Sequence, residues 1–106
     1  MCRALKVLCV APDAAALGEL RRATVSAEWE LSPGATTDAD ALATLHEERP
    51  HVLVVFGAFP GLVERALEAY PFLRVIADRE TPGATVVASM DEVRGAVKGS
   101  GGPVRS

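Results

Sequence analysis

Apolar residues in this chain fall into two kinds of pattern: unbroken runs, and positions that return every three or four residues. Lys6-Val7-Leu8-Cys9-Val10-Ala11 is an apolar run closed by Pro12, and Val52-Leu53-Val54-Val55-Phe56 is another, the most apolar in the chain. A run that does not alternate has both faces covered, as a strand has inside a parallel sheet. The second run is therefore expected at the centre. Leu73 to Ala77 and Thr85 to Ala88 read as further strands. Ala27, Trp29 and Leu31 alternate with Ser26, Glu28 and Glu30, which marks a half-covered edge strand ended by Pro33-Gly34. The intervening segments read as helices. Asp13 can cap one that carries Leu17, Leu20 and Thr24 on one face. Thr37 or Asp38 opens a second, with Ala39, Leu42, Leu45 and His46 at helical spacing and Pro50 as its stop. Pro60 suits the first turn of a third, whose stripe is Leu62, Val63, Ala66, Leu67 and Tyr70. Ser89 and Glu92 make a capping box for a last short helix with Val93, Ala96 and Val97 inward.

The order β-α-β-α-β-α-β-β-α predicts an α/β fold, a flavodoxin-like, doubly wound five-stranded parallel sheet. One step breaks the alternation. Only seven residues, Asp78 to Ala84, join the fourth and fifth strands. A helical crossover needs a dozen or more. Extended, this segment reaches about 23 Å at roughly 3.3 Å per residue, enough to return along a short strand. The fourth helix is therefore expected to be missing or cut to a turn, with the fifth strand parallel; an antiparallel strand is the alternative. Residues 1–98 form the expected domain, and Gly99 to Ser106 reads as a flexible tail or the start of a linker.

Composition narrows the function classes. The 106 residues are 49% apolar but only 5% aromatic, so one domain with an aliphatic core is expected. A net charge of -3 argues against nucleic-acid binding by this domain. No apolar run approaches the roughly 20 residues that span a bilayer. The N-terminus has too short an apolar segment for a signal peptide, so a cytoplasmic location without membrane contact is expected. Cys2 and Cys9 lack the spacing and further ligands of a metal site, and Cys9 reads as a small buried hydrophobe. His46 and His51 straddle Pro50 and cannot face one metal from one helix. They mark a helix end and a strand start. Arg21-Arg22 reads as a solvated helix face, and Trp29 as a core or edge-strand anchor. Gly99, Gly101 and Gly102 follow a helix instead of opening one, so they cradle no phosphate. No nucleophile, base and orienting group converge. No enzymatic activity, cofactor or metal is expected.

One segment is more specific than the fold class. Pro50-His51-Val52-Leu53-Val54-Val55-Phe56-Gly57-Ala58-Phe59-Pro60-Gly61 resembles the third strand and loop of the receiver domains of two-component response regulators: Pro-Asp, four apolar residues, Asp, three residues, Pro-Gly. Gly83-Ala84 matches a second family signature, from which Pro82 and the short fourth connection depart. The resemblance spans about residues 4 to 98. It implies phosphoryl transfer to an aspartate at the end of the third strand, with Mg²⁺ held by that aspartate and an acidic pair after the first. A hydroxyl after the fourth strand and a lysine after the fifth would meet the phosphoryl oxygens.

Carried over position by position, those residues are replaced. Phe56 takes the nucleophile position. Ala11 and Pro12 take the acidic pair, leaving Asp13 beside it. Ala77 to Arg79 take the hydroxyl position, and Met90 the lysine. The expectation is a pseudo-receiver: Ala11, Pro12, Asp13, Phe56, Ala77 and Met90 form a degenerate phosphorylation pocket locked by packing. A non-phosphorylatable signalling module follows, acting through a protein partner or as a homodimer. Its expected surface is the strand-five and last-helix face, at Val86, Val87, Ala88, Met90 and Val93. The alternative is a small-molecule sensor, with a ligand near Ala11, Phe56, Phe59 and Met90 and with Asp13 and Asp78 as polar anchors.

Overall fold

The structure, a computed structural model, describes residues 5–25, 29–32, 34–57, 59, 61–79, 83–89 and 92–101. Met90, Pro60 and residues 26–28 and 102–106 lie outside them, so the expectations placed on those positions have no structural counterpart.

Five strands and four helices follow the expected order: β1 (Leu5–Val10), α1 (Ala14–Thr24), β2 (Trp29–Leu31), α2 (Asp38–Glu48), β3 (Val52–Val55), α3 (Leu62–Ala69), β4 (Arg74–Ala77), β5 (Ala84–Val86) and α4 (Val93–Gly101). The strands form one sheet in the order β2-β1-β3-β4-β5. Every neighbouring pair is parallel, including β4 with β5, where Val75 aligns with Ala84 and Ala77 with Val86. This is the flavodoxin-like order. The β1 and β3 runs are continuous because both strands are central, and Val7 to Val10 and Val52 to Val54 are fully buried or nearly so.

Pleating sends alternate side chains into two cores. On one face Val7, Cys9, Val52, Val54, Phe56 and Ile76 pack with Leu20 of α1 and with Val93 and Val97 of α4. On the other, Leu8, Val10, Leu53, Val55 and Val75 pack with Ala41 and Leu45 of α2 and Leu62, Val63 and Ala66 of α3. Asp13 is the expected N-cap of α1, its Oδ1 accepting from Ala16 N–H (2.8 Å), and of the two candidates for α2 it is Thr37 that caps, its Oγ1 accepting from Asp40 N–H (3.1 Å). Arg49, in the left-handed region at φ 51°, ends α2 one residue before Pro50.

Four expectations need correction. The buried stripe of α2 runs through Ala41 and Leu45, while Ala39 and His46 are exposed, because docking against the sheet decides which face turns inward. Strand β5 covers Ala84–Val86 and not residues 85–88, since only this register pairs with the four-residue β4. Glu92 Oε1 accepts from Ala88 N–H (3.0 Å), and Glu92 N–H bonds Ser89 O (3.1 Å), a variant of the expected capping box. Helix α4 continues through Gly101, past the boundary expected at residue 98. Glycine taxes a running helix by only about 1 kcal/mol per residue, so it weakens the end without forbidding it.

Among the described residues no helix separates β4 from β5. Gly83, just before β5, lies against α3: at its φ of 84° an added Cβ would lie 2.6 Å from Leu67 Cδ1. Only glycine permits that backbone so close to α3.

Trp29 is buried, and its indole N–H donates to Thr24 O (2.8 Å), which ties the edge strand to the end of α1. Cys9 is buried as expected, and burial pushes its thiol up to about 11, partly offset by the Thr24 hydroxyl and by Arg21. A neutral buried thiol is a poor nucleophile. Thiol reagents at neutral pH are expected to leave Cys9 unmodified in the folded protein and to modify it in urea, as read by peptide mass mapping. The unfolded thiol ionises first, from its ordinary value of 9.0, so this residue's contribution to stability is complete below that pH and is lost as pH rises toward about 11.

Candidate functional site

In an open parallel sheet the loops at the carboxyl ends of the strands carry the site. Here Ala11, Pro12 and Asp13 follow β1, Phe56 and Gly57 follow β3, and Ala77 and Asp78 end and follow β4. The sheet thus brings together five of the six sequence-predicted pocket residues; the sixth, Met90, is outside the described residues.

Phe56 N–H donates to Val10 O (2.9 Å), extending the β1–β3 ladder by one residue. Its ring turns inward and is only 8% exposed, within the α1/α4 core. Ala11 is buried, and its N–H donates to Ala35 O (3.1 Å). Gly57 has φ 112°, and a Cβ there would sit 2.8 Å from Pro12 Cδ and 3.5 Å from Phe59 Cε2. The side of the loop backbone where a Cβ would stand is therefore filled by the Pro12 ring, with the Phe59 ring edge beside it, which only glycine allows. Gly57 N–H donates to Asp78 Oδ1 (3.3 Å), and Arg79 Nε–H donates to the same oxygen (3.2 Å). Asp78 is thus a brace for the β3 loop and not a free polar anchor. Gly57 and its brace were missed in the sequence; the signal was a glycine directly after an apolar strand, facing Pro12 across the sheet.

The chemistry available here is limited by residue type. A phenyl ring has no lone pair with which to attack phosphorus. Ala77 is buried and has no hydroxyl, and Asp13 already uses Oδ1 to cap α1. A hard divalent cation takes several oxygen ligands, usually more than one carboxylate. The residues present do not fit such a cation: among the described residues no three His, Cys, Asp or Glu side chains converge.

The expected interaction surface divides. Val86 is 50% exposed and Ala88 is exposed. Val87 is 4% exposed and Val93 is fully buried, both in the α1/α4 core. They are therefore core residues and not contact residues. Val87 follows β5 with its N–H on Ala77 O (2.9 Å), and the pleat turns its side chain inward while Val86 turns out.

No protein-family model and no curated protein matches this chain in sequence. Solved structures do match. The CheY-like receiver domain protein of Methanospirillum hungatei JF-1 superposes with a TM-score of 0.74 at 16% identity, covering 92% of this chain and 94% of that one. The fold is that of a response-regulator receiver domain. The chemotaxis response regulator CheY4 of Vibrio cholerae gives a TM-score of 0.70 at 17% identity, over 92% of this chain and 98% of its own. The signal receiver domain of an HD domain-containing protein from Pseudomonas fluorescens Pf-5 gives 0.63 at 20% identity, and the match spans 71% of this chain and 63% of that one. At these identities the likeness is one of fold. Among the described residues no helix is long and apolar enough to cross a membrane.

Proposed function

We propose that this receiver-fold domain is a signalling module that works without phosphorylation, through protein–protein contact. The observation that carries the reading is Phe56: the position expected to hold the nucleophile is occupied by a ring buried in the core, and the next residue, Gly57, lies close against Pro12. A receiver site that collects carboxylates is strained by like charge until a cation or phosphoryl group relieves it. An apolar site has no such strain to relieve, so packing holds one conformation and the contact surface is constitutively presented.

The outer edge of β5 supports the choice of surface. Thr85 and Val86 face solvent on a strand that, among the described residues, has one neighbour, next to the exposed Ala88. Such an edge offers backbone groups and an apolar side chain to a partner. The test is a photo-crosslinking residue at Val86, compared with one at the exposed Ala39 of α2. The expected result is one specific adduct from Val86 alone, in equal yield with and without a phosphoryl donor. Equal capture from both positions, or capture that requires the donor, would overturn the reading.

A further inference from the structure

At the opposite end of the sheet, where β3 and β4 begin and α3 ends, a cleft of about 530 Å³ is lined by Pro50, His51, Ala69, Tyr70, Leu73 and Arg74. Phe72 belongs to the same surface and is 94% exposed. Val25 and Val86, the other exposed large hydrophobic residues among those described, are about half covered. A phenylalanine that covers nothing of its own chain, beside a cleft of ligand size, is a knob next to a hole.

Both parts are held rigidly. Leu73 N–H donates to Tyr70 O (3.0 Å), closing a turn with Pro71 at its first corner and Phe72 at its second. Proline presets that corner, so the turn presents the ring outward with little freedom to lose. The cleft is anchored to β1. His51 N–H donates to Lys6 O (2.8 Å), the His51 Nδ1 accepts from Lys6 N–H (3.1 Å), and Lys6 Nζ pairs with Glu48 Oε1 (3.0 Å). Arg74 N–H on His51 O (3.2 Å) joins the other wall. Preorganised surfaces bind at lower entropic cost.

We infer that this end of the domain is a self-association surface, in which Phe72 of each copy enters the cleft of the other around a two-fold axis. The occupant is a second copy because the patch carries both halves of the contact. A two-fold interface brings one patch against itself, so it needs knob and hole side by side. It also needs both signs of charge: Arg74 lines the cleft, and the exposed Glu68 precedes Ala69 in the last turn of α3. The surface lies at the other end of the sheet from the Phe56 site, and the inference stands whether or not that site accepts a phosphoryl group.

Sedimentation velocity over a concentration series of the full chain tests it. The expected result is a monomer–dimer equilibrium that stops at two copies. Phe72→Ser removes two buried rings per dimer and is expected to weaken association by at least about 100-fold. Its melting temperature should stay unchanged, because the exposed ring supports nothing within the monomer. Ala69→Arg fills the hole from an exposed helical position and should give the same loss, while Val86→Asp at the far edge should leave the dimer intact. A wild-type chain still monomeric at about 1 mM, assembly beyond two copies, or a dimer broken by Val86→Asp and not by the other two variants would each overturn the inference.

Discussion

Phe56→Asp, the substitution toward a phosphorylatable receiver, is expected to destabilise the domain by about 4 kcal/mol at neutral pH. Truncating a buried Phe alone costs about 3–5 kcal/mol, through lost apolar burial and the cavity left in the core that the sheet shares with α1 and α4. The carboxylate then lands in an apolar site without a cation. Burial raises such a carboxyl's pKa above its unfolded value, so its contribution to stability is greatest at low pH and is lost as pH rises through the raised value. The deficit relative to wild type should shrink as pH falls toward 5. Mg²⁺ should not rescue it, because Asp13, which caps α1, is the only acidic residue in the β1 loop. Urea unfolding at two pH values, with and without Mg²⁺, reads all three effects. A variant as stable as wild type, or one rescued by Mg²⁺, would show that the charged site survives beneath the ring.

Leu53→Ala is expected to cost about 3–4 kcal/mol, a large share of the roughly 5–15 kcal/mol of a typical domain. Leu53 is fully buried in β3, the middle strand, within the cluster formed with α2 and α3. Both helices and two strands border the vacated space, so none can close it without disturbing the others. The midpoint of urea unfolding should fall with little change in slope. A loss below about 1 kcal/mol would show that the α2/α3 face is loosely packed.

Much of the fold is legible because β1 and β3 are buried on both sides, which leaves a run that admits few readings. The cap at Asp13 is equally plain, since a short polar side chain before an apolar period meets a local need of the helix, whereas two such side chains in a row leave Thr37 and Asp38 both open at α2. The seven residues from Asp78 to Ala84 also tell against a fourth crossover helix, and among the described residues β4 is followed by β5 with none between them. The errors lie where tertiary contact decides. Val87 and Val86 are adjacent and chemically alike, and only the β5 register turns one inward and the other out. Phase errors in α2 have the same origin: Ala39 and Ala41 are indistinguishable until the helix is docked.

The site was readable in its residue types and not in its geometry. Replacement of the expected nucleophile by Phe56 follows from one alignment of the strand. The close approach of Gly57 to Pro12 needs two loops in three dimensions, and so does the use of Asp78 as a brace. The cleft beside Phe72 gave no signal at all. Pro71-Phe72 reads as an ordinary turn, and its importance rests on a 94% exposure that only the folded chain defines.

The central claim is that packing has replaced phosphoryl chemistry at the carboxyl ends of the strands. Incubation with acetyl phosphate and Mg²⁺, followed by intact-mass analysis and amide spectra, tests it most directly. The account predicts no phosphoryl adduct and no shift of the Ala11, Phe56 or Gly57 resonances. An acid-stable, hydroxylamine-labile adduct mapping to Asp13 or Asp78, with shifts at those amides, would contradict it.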